Sequence, residues 1–133
     1  MHIKTNTILA TTALLFSANM LAETYAEAEI KSIGHAADVK TSEWFESQMQ
    51  PAFAPAFSPV MGGCLNSEKS RPARIDMVFI VKSTGDIGRF FWKEPNSFTE
   101  CLENGLKTAK FPAPPGEDFY FGVGVNLPPK RNS

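Results

Sequence analysis

The segment from 64 to 127 constrains the fold most, because it contains a predicted strand pair, a capped helix and a further strand. One cysteine precedes the strand pair and the other lies in the helix. Ile75–Val81 is apolar almost throughout, which predicts a strand covered on both faces. Residues 82–86 include Gly85, which suits a tight reversal, and Ile87–Trp92 then returns. These runs predict an antiparallel hairpin.

A helix is predicted to start at Ser97, because Ser97 and Glu100 have the spacing of a capping box. The apolar residues that follow recur every three or four positions, namely Phe98, Cys101, Leu102, Leu106 and Ala109. The three prolines in 111–116 predict a rigid extended connection. Phe119–Leu127 then alternates apolar and small or polar residues, which predicts a strand with one apolar face.

Two glycines interrupt this last predicted strand. Gly122 and Gly124 indicate either a close approach of another backbone or a helix packed against that face. The predicted fold class is therefore α+β. It comprises a small antiparallel sheet with strand–strand–helix–strand order and a helix packed on one face.

The first 26 residues are predicted to be an export signal, with Lys4 as the basic start and an apolar run from Ile8 to Ala22. Cleavage is expected after Ala26, with Ala28 as the alternative. An uncleaved membrane anchor is the competing interpretation, but the run is short for a bilayer span and contains polar residues. The mature protein is then expected to be periplasmic or secreted, without stable membrane insertion.

The remaining chain divides into an amino-terminal arm and helix (27–57), a main domain (58–129) and a short tail (130–133). Residues 27–40 are polar and predict a short strand or a loosely held arm. A helix capped by Thr41 and Ser42 is expected to end at Pro51.

Further prolines are expected to interrupt the chain after that helix. Pro55 and Pro59 break the pattern of 52–58, and a second short helix is predicted to start at Ser58.

Two cysteines behind an export signal favour one disulfide, between Cys64 and Cys101. A loop of this length would be stabilised by about 4 kcal/mol in the chain-entropy model. Two buried free thiols remain the alternative. A metal site is disfavoured, since neither cysteine has a second ligand at the usual spacing.

The charge balance and the few titratable groups exclude several functions. The chain has 13 basic and 14 acidic residues, which lacks the positive excess that nucleic-acid binding requires. His35 is expected to be a lone exposed histidine. Glu117 and Asp118 are neighbours in a loop, so they do not form a catalytic pair. We therefore expect a non-enzymatic protein with no catalytic residues, cofactor or metal.

These elements resemble the TonB C-terminal domain, and most closely its AgmX/PglI C-terminal branch. The matching residues run over about two thirds of the mature chain: Cys64, Phe79, Ile80, Gly85, Ile87, Cys101, Phe111, Pro112 and Pro114. The resemblance implies a periplasmic domain that binds envelope proteins at a sheet edge, as TonB does when a receptor peptide adds a strand. Energy transducers of that type also carry an uncleaved anchor and a long spacer, which we expect this chain to lack.

Two hypotheses about binding follow. In the first, the last strand docks an envelope protein or peptide segment by β-augmentation, through residues Phe119, Phe121, Val123 and Val125. In the second, an aromatic group formed by Phe90, Phe91 and Trp92 joins the proline-rich loop in a small secreted binder or inhibitor of a peptide, glycan or enzyme. Packing of these rings in the core is the simpler interpretation.

Overall fold

The computed structural model describes residues 22–130 of the 133-residue chain, so most of the predicted export signal lies outside the described residues. The elements follow in the order α1 (Tyr25–Ala37), α2 (Ser42–Trp44), a π-helical segment (Phe45–Met49), α3 (Gln50–Ser67), β1 (Arg74–Val81), β2 (Ile87–Trp92), α4 (Ser97–Leu106) and β3 (Phe119–Asn126).

The three strands form one antiparallel sheet in the order β2-β1-β3, which confirms the predicted α+β class. The β1–β2 turn is closed by the N–H of Lys82, which donates to the carbonyl of Asp86 at 2.8 Å. Gly85 has a φ of +90°, and a Cβ there would collide with the carbonyl of Phe111. Only glycine satisfies both demands at this turn.

The helix that starts at Ser97 packs on one face of the sheet as predicted, and α1, which was not predicted, covers the other face. On one face, the side chains of β1 such as Met77 and Phe79 pack against α3 and α4. On the other face, Val78 and Phe91 pack against Ala28 of α1. Because side chains alternate along β1, its residues contribute to two separate apolar clusters, one on each face of the sheet.

Helix α1 replaces the short strand or loose arm that was predicted for 27–40. Thr24 caps the helix, since its hydroxyl accepts from the N–H of Glu27 and the Glu27 carboxylate accepts from the N–H of Thr24. This capping box straddles the predicted cleavage point after Ala26. The predicted cleavage separates Thr24 from Glu27, so the sequence prediction does not include the capping box that starts this helix.

The helix predicted to end at Pro51 instead continues to Ser67, through the π-helical segment and α3. Pro51, Pro55 and Pro59 lie four residues apart, and all three are exposed. Each removes one backbone donor, but water can bond the freed carbonyls because they lie on the solvent side. The predicted boundary between residues 57 and 58 falls inside α3.

Helix α4 starts at Ser97 as predicted, but its cap is Asn96 and not Ser97. The Asn96 side chain accepts from the N–H of Thr99 at 3.0 Å, and Thr99 Oγ1 accepts from the N–H of Asn96 at 2.9 Å. The predicted disulfide is confirmed: Cys64 and Cys101 are bonded, with Cα atoms 5.9 Å apart. It ties the end of α3 to α4.

The close contact between these two helices depends on Gly105. A Cβ on Gly105 would lie 2.5 Å from Cγ1 of Val60, whereas a Cβ on Gly62 would meet nothing within 4 Å. Gly105→Ala should therefore destabilise the fold by about 1–3 kcal/mol through overpacking. Gly62→Ala should stabilise it by about 0.5–1 kcal/mol through helix propensity. Urea unfolding with the disulfide intact measures both.

The double variant Val60→Ala with Gly105→Ala provides the control. Because Val60→Ala makes room for the new methyl group, the cost of Gly105→Ala should fall in that background. Equal costs in both backgrounds would show that Gly105 does not set the spacing between α3 and α4.

Candidate docking groove at the free edge of strand β3

Strand β3 lies at an edge of the sheet, and its odd-numbered residues face the protein's own core. Phe119 and Phe121 are buried there, whereas Val123 and Val125 are half-buried. These are the four residues that the sequence predicted to contact a partner. Since their side chains pack inward, a partner at this edge would meet the backbone of the intervening residues.

Two hydrogen bonds show which backbone groups face outward. The N–H of Leu127 donates to the carbonyl of Ala73, next to β1, at 2.9 Å. The N–H of Tyr120 instead donates to Nδ1 of His35, also at 2.9 Å, on the side away from β1. Because alternate residues of an antiparallel strand direct their backbone groups to opposite sides, the even-numbered residues of β3 face outward.

Beyond Tyr120 this outer edge is open. Gly122, Gly124 and Asn126 are exposed, and none of their N–H groups has a hydrogen-bond partner within residues 22–130. Such unpaired groups are the template that an added strand uses. The open edge, which we define as Gly122–Asn126, is therefore able to accept an extended chain.

The two glycines of the open edge hold it close to neighbouring side chains. A Cβ on Gly122 would lie 2.8 Å from Oγ of Ser32 in α1, so the helix packs against bare backbone at this point. A Cβ on Gly124 would contact the guanidinium of Arg74. The prediction that these glycines allow a close helix approach is confirmed at Gly122.

A groove of about 300 Å³ runs along the open edge. Ile33 and Ala36 of α1 line it on one side of the sheet, and Phe45 lines it on the other. The connection between α1 and α2 runs past the start of β3, because His35 of α1 and Trp44 of α2 both contact Phe119. We call this feature the edge groove.

Polar groups surround the Tyr25 end of the edge groove. Arg74 pairs with Asp76 at 3.0 Å, and the hydroxyl of Tyr25 donates to the Glu29 carboxylate at 3.0 Å. Burial, reinforced by this bond to Glu29, raises the pKa of Tyr25 to about 12. The tyrosine is therefore a neutral hydrogen-bond donor at physiological pH.

The most exposed large apolar side chains of residues 22–130 lie on or just after α1. Ile30 is 70% exposed, Ile33 is 65% exposed and Val39 is 84% exposed. The side of α1 that packs on the sheet carries Ser32 and His35. Helix α1 thus directs large apolar side chains to solvent, and one of them, Ile33, forms a wall of the edge groove.

His35 is half-buried and bonded to β3, so the prediction of a lone exposed histidine is wrong. Burial lowers the pKa of His35, and Lys31 acts in the same direction, whereas Asp38 and Glu117 oppose the shift. Only neutral imidazole can accept at Nδ1. The bond to Tyr120 therefore depends on His35 being uncharged.

The aromatic group predicted around β2 is divided between the two faces of the sheet. Phe91 is buried against α1, whereas Phe90 and Trp92 lie on the opposite face. The indole N–H of Trp92 donates to the Glu103 carboxylate at 2.7 Å. These three rings therefore do not form one binding surface.

The two loop carboxylates have different surroundings. Asp118 accepts from the backbone N–H of Ser83 at 2.9 Å, which links the segment before β3 to the turn between β1 and β2. Glu117 lies near His35. Within residues 22–130, no three or more His, Cys, Asp or Glu side chains are grouped to hold a metal ion.

Comparison with protein-family models, with curated proteins and with solved structures finds no match to this chain. Across residues 22–130, the helices are too short or too polar to cross a membrane. The assignment of function therefore depends on the geometry of the edge groove.

The bond between His35 and Tyr120 should make stability depend on pH. The folded-state pKa of His35 is lowered from 6.5, so its contribution is complete above pH 6.5 and is lost as pH falls through the folded-state value. We expect a loss of about 1 kcal/mol, the usual net value of a hydrogen bond. Hydrogen exchange of the Tyr120 amide, expressed as a protection factor, should fall over the same range.

His35→Asn is the matched control, because its side-chain oxygen can accept from Tyr120 but does not titrate. This variant should keep the Tyr120 amide protected in the acidic range where the wild-type protein loses that protection. An equally large loss of protection in His35→Asn would rule out the histidine as its cause. The amides of Gly122 and Gly124 should exchange rapidly at every pH, and those of Val123 and Val125 slowly.

Proposed function

We propose that this chain is an exported, non-enzymatic docking module that binds an extended segment of an envelope protein or peptide. The segment would add a fourth strand beside β3 at the open edge. One observation carries the proposal: the unpaired outward N–H and C=O groups of Gly122 and Gly124 lie along a groove bounded by α1 and by Phe45.

The physical basis is β-augmentation, in which backbone hydrogen bonds give affinity and spaces for alternate side chains give specificity. Gly122 and Gly124 each offer one donor and one acceptor to the added strand. On the α1 face, Ser32 covers the backbone of Gly122 and Arg74 covers that of Gly124. A partner side chain on this face would therefore lie beside the strand, next to Ile33 and Ala36.

Pairing along the groove is limited at both ends. His35 takes the outward N–H of Tyr120, so pairing would start at Gly122. Pro128 and Pro129 follow the strand and would stop pairing beyond its end. An added strand would therefore pair over a short, defined stretch, which suits recognition of a peptide segment better than open-ended assembly.

The resemblance to the TonB C-terminal domain supports the same use of a sheet edge. The confirmed Cys64–Cys101 disulfide supports the expectation of an oxidising, periplasmic or extracellular location. The alternative binder, built on Phe90, Phe91 and Trp92, has less support because these rings are divided between two faces of the sheet.

A matched pair of substitutions at Gly124 tests the proposal. Both Gly124→Ala and Gly124→Pro add a Cβ that displaces the Arg74 guanidinium, but only proline removes the outward N–H. Peptides would first be selected against the folded protein from a random display library. They should bind Gly124→Ala like wild type and Gly124→Pro about tenfold more weakly, equivalent to about 1.4 kcal/mol.

Thermal melting and near-ultraviolet circular dichroism would establish that both variants are folded. Bound peptide should also protect the Gly122 and Gly124 amides of the wild-type protein from hydrogen exchange. Selected peptides that bind Gly124→Pro at full affinity, or that leave these two amides unprotected, would show that docking occurs elsewhere.

A further inference from the structure

We infer that signal peptidase cleaves this chain between Ala22 and Glu23, four residues earlier than the sequence pattern predicts. This processing site rests on the proposed export signal and is independent of docking at the edge groove. The structural reason is that residues 23–26 are part of the folded domain and hold α1 on the sheet.

Glu23 connects three elements of the fold. Its carboxylate accepts from Nζ of Lys31 at 2.6 Å and from the hydroxyl of Tyr120 at 2.9 Å. Its backbone carbonyl accepts from the guanidinium of Arg89 at 3.2 Å. The hydrogen bond with Lys31 is the main cause of the lowered pKa of Glu23, so the carboxylate is charged at neutral pH. One residue thus links α1 to both outer strands.

The next residues complete the start of α1. Thr24 supplies the cap, and Tyr25 packs against the cluster of Ala28, Val78 and Phe91. Cleavage after Ala26 would remove Glu23, the cap and this ring together. Helix α1 would then start without the side chain that satisfies its first amides.

The local sequence is compatible with the earlier bond. Ala22 is a small residue directly before the bond, and Glu23 is the first charged residue after Lys4, so the bond lies where the apolar run ends. The cleavage pattern also calls for a small residue two positions before the last residue of the leader. For cleavage after Ala22 that position holds Met20, whereas for cleavage after Ala26 it holds the smaller Thr24. The two sites therefore compete, and retention of a complete α1 favours the earlier one.

Intact mass and amino-terminal sequencing of the exported protein test this inference. The full chain would be produced with its own amino terminus in a bacterium that exports proteins through the general secretory pathway. We expect a mature chain that starts at Glu23. A chain that starts at Glu27 or Glu29, or that retains residue 1, would overturn the inference.

Two matched variants identify the residue that the peptidase reads. Ala22→Phe places a large side chain directly before the proposed bond and should abolish the product that starts at Glu23. Ala26→Phe makes the same change at an exposed position of α1 and should leave that product unchanged. The reverse pattern would place the processing site after Ala26. Docking at the edge groove has a separate test, so either result can fail alone.

Discussion

The structure depends on β1, which is paired on both sides and covered on both faces. Its pairing with β2 and with β3 makes it the only central strand of the sheet in residues 22–130. Its odd-numbered side chains fill the larger core and Val78 fills the smaller one. Because β1 is the middle strand, β2 and β3 each have one outer edge, and the edge groove lies along the outer edge of β3.

The two covered faces of the sheet differ in chemistry. The larger core is aromatic and apolar, and the disulfide between α3 and α4 braces it. The smaller face is held by close approach and polar contacts, with Ser32 near Gly122 and His35 bonded to Tyr120. On this face α1 presents small and polar side chains to the sheet, whereas its large apolar residues Ile30 and Ile33 are exposed.

The sequence predicted well where periodicity and turn chemistry act locally. The alternation of β3, the glycine turn after β1 and the start of α4 at Ser97 each required only a short window. The single pair of cysteines sufficed to predict the disulfide. At α3, tertiary packing of a buried stripe outweighed three exposed prolines, and no local rule weighs these two effects against each other.

The candidate site was predicted only in part, for a different reason. The sequence predicts the position of the edge strand in the chain correctly. It does not predict which of its backbone N–H and C=O groups face outward, because that depends on how β3 pairs with β1. The role of His35 required knowing that α1 crosses the sheet. The capping box of Thr24 and Glu27 was the one available signal for α1, and assigning residue 24 to the leader concealed it.

The position of the disulfide has a consequence for motion. Cys64–Cys101 fastens α3 to α4, whereas nothing covalent fastens α1 beyond its connection along the chain. Hydrogen bonds and packing alone hold α1 on the sheet, so the disulfide does not restrain its local opening. One wall of the edge groove can therefore move without breaking a covalent bond. A segment bound in the edge groove would contact both this wall and the sheet, and would therefore restrain the motion of α1 without any covalent link.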